Sequence, residues 1–99
     1  MATIEALTDE QILNKVKKGL GILTDYQNDT LQIYIDETRA FMISAGVPEA
    51  VTRSSVAVGC LIRGVNDLWD YGSGTANLSD YFKMRVIQLA NETVETPEN

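Results

Sequence analysis

The chain has 99 residues, of which 44% are apolar and 22% charged; that is enough for one domain with a modest core, and no uncharged run approaches the roughly 20 residues of a membrane span. It contains no histidine and a single cysteine, which removes Cys-His and Ser-His catalysis, zinc sites built on imidazole, and any internal disulfide. The net charge of −6 disfavours tight sequence-independent binding to a phosphate backbone, and the N-terminus shows no basic region followed by an apolar block, so a cytoplasmic protein without a secretory signal is expected.

The first predicted helix opens at Thr8, which stands at capping-box spacing from Gln11. Ile12, Leu13, Val16 and Leu20 follow at helical intervals, and Lys15, Lys17 and Lys18 fall toward the carbonyl end, where cations complement the helix dipole. Gly19 and Gly21 are the expected stop. Thr24 and Gln27 repeat the capping-box spacing and predict a second helix that runs to Ala45 and is ended by Gly46 and Pro48. Leu31, Tyr34, Ile35, Thr38, Phe41, Met42 and Ala45 share about 120° of its circumference, opposite Asp25, Asp29 and Asp36. Ile33, Ala40 and Ile43 sit among or beside those aspartates. Two readings stand: isolated exposed apolar side chains, which need no explanation, or a subunit contact.

The third helix is expected to start at Pro48 or at Ser54 or Ser55, with a short turn from Pro48 to Thr52 before the main segment. Ala57, Val58, Leu61, Ile62, Val65, Leu68 and Trp69 form its inner arc, with Cys60 at the edge as a small hydrophobe; Arg63, Asn66, Asp67 and Asp70 lie opposite. Gly72, Ser73, Gly74 and Asn77 interrupt it, and Ser79 is the expected N-cap of a fourth helix carrying Phe82, Val86 and Leu89. The fold expected is all-α: a small bundle of about four helices, two long antiparallel central ones with shorter N- and C-terminal ones, over residues 1–90. Residues 91–99 hold three glutamates and one aliphatic side chain, Val94, and are expected to be a flexible acidic tail.

No reactive constellation emerges. Adjacent acids such as Asp9 with Glu10 and Asp36 with Glu37 diverge by about 100° on a helix. Asp67 and Asp70 are i, i+3 neighbours able to share a hard cation, but Arg63 on the same face makes a solvated charge strip the expectation. The glycine-rich break lacks the Gly-Lys-Ser/Thr of a phosphate loop. Trp69, Tyr71, Tyr81 and Phe82 flank that break and are expected to pack the helix corner, a ligand cleft being the other reading. No enzyme, cofactor or metal is expected.

Three segments, TLQIYIDETRAFMISAGVP, VAVGCLIRGVNDLWDYGSG and LSDYFKMRVIQLA, together resemble the small helical head-tail connector proteins of long-tailed bacteriophages and prophages, also described as head-completion or DNA-packaging proteins. The similarity covers roughly residues 13 to 90. Its most specific part is Asp67-Leu68-Trp69 at the end of one helix, then a Gly-rich break, then Leu78-Ser79 opening a last helix that contains Arg85-Val86-Ile87-Gln88-Leu89. This is a pattern of ordinary residues, and no active site comes with it.

The resemblance implies a virion protein of the neck, present in the host cytoplasm during assembly, whose copies form a closed ring of about a dozen beneath the portal protein and extend the DNA channel toward a tail-side stopper. On that expectation Ile33, Ala40 and Ile43 are candidate subunit-interface residues. Asp25, Asp29 and Asp36 are candidate channel-facing acids that let double-stranded DNA slide with only loose, transient contact. Glu92, Val94 and Glu95 are candidates for a tail segment that docks on the portal. The alternative is a free-standing helical regulatory or nucleic-acid-binding module, since Gly46 between two helices superficially suits a helix-turn-helix; the segment that follows it, Val47 to Ile62, contains Arg53 as its one basic residue.

Overall fold

The structure is a computed structural model in which residues 6–71 and 78–94 are described. Among them are five helices and no strand: α1 (Asp9–Leu20), α2 (Asn28–Ser44), α3 (Glu49–Thr52), α4 (Val58–Tyr71) and α5 (Asp80–Val94). The all-α bundle expected from the sequence is present, with the short turn after Pro48 appearing as α3.

Helix α1 begins as its capping box dictates. The Thr8 hydroxyl accepts the Gln11 N–H at 3.1 Å while the Gln11 side chain accepts the Thr8 N–H at 2.8 Å, so two orphan amides are satisfied reciprocally. Its stop is Gly21 alone, at φ 75°, a left-handed conformation that glycine adopts without a Cβ penalty. Gly19, expected to share that role, is inside the last turn; a Cβ there would stand 2.6 Å from Ile62 Cγ2, so its absence lets α1 approach α4.

The second capping box is not used. Helix α2 starts at Asn28 with Gln27 as N-cap and no side-chain cap bond, and residues 24–27 form turns in which the Asn28 N–H donates to the Asp25 carbonyl at 3.2 Å. The reason is tertiary: Lys17 is buried, and its ammonium reaches the Asp25 carboxylate at 2.6 Å, drawing the connection back against α1 before the helix can begin. Asp25 is therefore off the α2 face on which the periodicity placed it.

The core is one continuous cluster. Leu31, Ile35 and Met42 of α2 meet Ala57, Leu61, Val65 and Leu68 on the α4 side, with Ile12 and Val16 of α1 and Phe82, Val86 and Leu89 of α5 closing it. Helix α4 is central, contacting α1, α2 and α5. Thr38 is the polar member of the α2 inner face; it is fully buried, and its hydroxyl donates to the Tyr34 carbonyl at 2.8 Å, so no polar atom is stranded there. Ala45, expected on that face, is exposed where α2 gives way to the turn at Gly46. The N-terminal segment is pinned to the α3–α4 connection by the Leu7 N–H to Arg53 carbonyl bond of 2.8 Å and by the Arg53–Asp9 ion pair of 2.6 Å, which raises the Arg53 pKa.

Asp67, placed by periodicity on a solvated strip, is buried, and its Oδ2 accepts the Ser79 N–H at 3.0 Å. Ser79 in turn accepts the Phe82 N–H at 3.1 Å, so Asp67 fixes the residue that caps α5. The helix also runs four residues beyond Ala90, through Val94, into what composition alone assigned to the tail.

Candidate functional site

On α2 the residues that face away from the core form one stripe. Relative to Asp29, the 3.6-residue repeat places Ile33, Asp36, Ala40 and Ile43 within about 80° of one another, on the side opposite Leu31, Ile35, Thr38 and Met42. Asp29, Ile33, Asp36, Ala40 and Ile43 are all exposed, Ile33 to 60%. Asp36 accepts a hydrogen bond from the Gln32 amide at 3.0 Å, which holds its carboxylate along the helix surface. The structure thus brings the candidate interface residues and two of the candidate channel acids onto the same face. It removes the third: Asp25 sits in the preceding turn, and the Lys17 ammonium holds its carboxyl below the usual aspartate range.

Of the tail candidates, Glu92 and Val94 belong to the last turn of α5, whereas Glu95 lies outside the described residues, as do Gly72, Ser73, Gly74 and Asn77 of the glycine-rich break.

The aromatic cluster resolves into separate parts. Trp69 packs edge-on against Tyr34, with centroids 5.8 Å apart and planes at 85°, and the buried Phe82 lies 5.7 Å from Phe41. Packing accounts for both. Tyr81 turns outward beneath the Arg63 guanidinium, 5.2 Å from its ring centroid. With Gly19, Gly59, Ile62, Arg63 and Asn66 it lines a shallow cleft of about 340 Å³ between α1, α4 and the start of α5. Asp67, committed to Ser79, does not join Asp70 in a shared cation site.

Periodicity also marks a second exposed face, on α5. Tyr81, Met84 and Ile87 recur three residues apart on α5, opposite Phe82, Val86 and Leu89, and are exposed to 60%, 60% and 56%. Their spacing is the signal in the sequence; Tyr81 and Phe82, adjacent beside the glycine-rich break, diverge by about 100°, so that one is exposed and the other buried. Leu23 and Tyr26, in the α1–α2 turn, are more than nine-tenths exposed.

No helix-turn-helix forms after Gly46. The segment from Val47 to Ile62 divides into the four-residue α3, whose Val51 and Thr52 are buried, and the start of α4, while Arg53 is paired with Asp9. Thr52 accepts from the Arg39 side chain at 3.0 Å, so this corner is tied to α2 and presents no continuous helix to a groove. The thiol of Cys60 is buried and its pKa is pushed up to about 11, which is the behaviour of a core residue and not of a nucleophile. Among the described residues no helix is long and apolar enough to cross a membrane. Compared with known protein families, curated proteins and solved structures, the chain finds no match.

Proposed function

We propose that this protein is a structural subunit of a phage or prophage neck, a head-tail connector that assembles as a ring on the portal and lengthens the DNA channel. The reading rests on the resemblance of residues 13 to 90 to that family, and one observation from the fold supports it: a helical domain whose core is already closed leaves Ile33, Ala40 and Ile43 exposed in a row on α2. In this reading a protomer that joins copies of itself buries that stripe, with Asp29 and Asp36 set among its apolar side chains.

Because Asp29 and Asp36 share that stripe, they go with the subunit contact in this proposal, and the repulsion of DNA from the lumen is carried by the overall negative charge of each copy. The portal is engaged by the end of α5 and the acidic residues after it. Electron microscopy of the purified protein, alone and mixed with its portal, tests the reading. Annular particles in either sample are expected; isolated globules in both, or absence of the polypeptide from the neck of complete virions, would overturn it.

A further inference from the structure

We propose that the exposed face of α5, formed by Tyr81, Met84 and Ile87, is the complement of the α2 stripe on a second copy of this chain, so that each protomer offers α2 to one neighbour and α5 to the other. The inference rests on the self-assembling reading above and specifies its geometry.

Three observations carry it. First, the two faces are distinct patches on different helices, each directed away from the core: on α2 the exposed stripe lies opposite Leu31, Ile35 and Met42, and on α5 the ridge lies opposite Phe82, Val86 and Leu89. A two-fold dimer needs one self-complementary patch, whereas a closing head-to-tail assembly needs two different patches that fit each other. Second, their charges are opposite. The α2 stripe includes Asp29 and Asp36, and the one base of that helix, Arg39, is turned to Thr52 and Glu49 of the α3 corner. The α5 ridge is flanked on its two sides by Lys83 and Arg85, and Arg63 lies over Tyr81 at its N-terminal end; the acids of α5, Asp80 and Glu92, are near its two ends, so three bases stand against two acids there. Two copies of the α2 stripe would set aspartates against aspartates, while α2 against α5 sets them against bases. Third, both faces carry exposed apolar side chains, Ile33, Ala40 and Ile43 on one and Met84 and Ile87 on the other; on α2 the aspartates are set among them, and on α5 the bases stand at either side, so apolar contact and charge pairing would form together.

Cysteine cross-linking reads the pairing directly. In a Cys60→Ser background, one chain carries Ile33→Cys or Ile43→Cys and a second, distinguishable by mass, carries Met84→Cys or Ile87→Cys; all four sites are exposed, so the fold is preserved. After mixing and mild oxidation, the disulfide-linked heterodimer is expected to exceed either homodimer by tenfold or more, and adding Asp36→Lys to the first chain is expected to cut that yield severalfold. Dominant Ile33→Cys or Met84→Cys homodimers would replace the pairing with a two-fold one, and a heterodimer no more abundant than the homodimers would overturn it. Annular particles without the α2–α5 cross-link would leave the connector reading standing and this pairing refuted; the cross-link without rings, on the portal or off it, would do the reverse.

Discussion

Gly64 and Gly59 lie in the same helix, yet replacing each with alanine is expected to move stability in opposite directions. A Cβ at Gly64 would stand 2.6 Å from Phe82 Cε1 and 2.6 Å from Thr38 Cγ2, whereas one at Gly59 would meet nothing within 4 Å. Carbon atoms pack at about 3.5–4.0 Å, so the Gly64 methyl overlaps α2 and α5 by about 1 Å each. Neither neighbour can yield cheaply: Thr38 and Phe82 are fully buried, Thr38 is held by its bond to the Tyr34 carbonyl, and Phe82 rests on Phe41. Overpacking of this kind costs up to about 3 kcal/mol, against about 1 kcal/mol gained from helix propensity, so Gly64→Ala should lose about 2 kcal/mol net. For a domain of this size that lowers the Tm by about 8–16 °C, while Gly59→Ala gains about 0.5–1 kcal/mol and raises it by a few degrees. Thermal and urea unfolding followed by circular dichroism measure both. Thr38→Ser removes the Cγ2 methyl and keeps the hydroxyl, so the Gly64→Ala/Thr38→Ser double variant should recover part of the loss. If Gly64→Ala proves as stable as Gly59→Ala, the close crossing of α2, α4 and α5 at this point is wrong.

Four more outcomes are expected. Asp67→Ala leaves the Ser79 N–H without its acceptor and should cost about 1–2 kcal/mol in urea unfolding, while Asp67→Asn, which retains a carbonyl oxygen, should cost less; equal losses would show that the bond does not matter. The Lys17–Asp25 pair holds the Asp25 pKa below its unfolded value, so its stabilisation is complete above about pH 4 and is lost as the pH falls through the depressed value; Asp25→Asn should flatten the acid limb of the stability curve, and an unchanged limb would contradict this. With the Cys60 pKa at about 11, alkylation at pH 8 should be roughly a hundredfold slower in the folded protein than in urea and should still be climbing at pH 10; equal rates in the two states would refute the burial of the thiol. Removing residues 95–99, which leaves α5 from Asp80 to Val94 in the chain, should weaken portal binding and leave the Tm within a degree or two; undiminished binding would remove the acidic end from the contact.

What the chain order of residues determined was local and periodic. Thr8, Gln11 and Gly21 specify the ends of α1 through bonds that span three or four residues, and the 3.6-residue recurrence of Leu31, Ile35 and Met42, of Leu61, Val65 and Leu68, and of Phe82, Val86 and Leu89 selects an all-α fold and its inner faces before any tertiary contact exists. Even the exposed stripes of α2 and α5 are written in that recurrence. What tertiary structure alone decided are interactions between residues far apart along the helices. Thr24 had the spacing of a cap but lost to the Lys17–Asp25 pair; Asp67 had the position of a surface acid but was drawn inward by an unbonded amide at Ser79; Gly19 and Gly64 had no visible role until another helix lay against them. Periodicity reports which side of a helix is turned inward. It carries no record of which polar group waits there or how closely the next backbone passes, because both depend on how the helices cross.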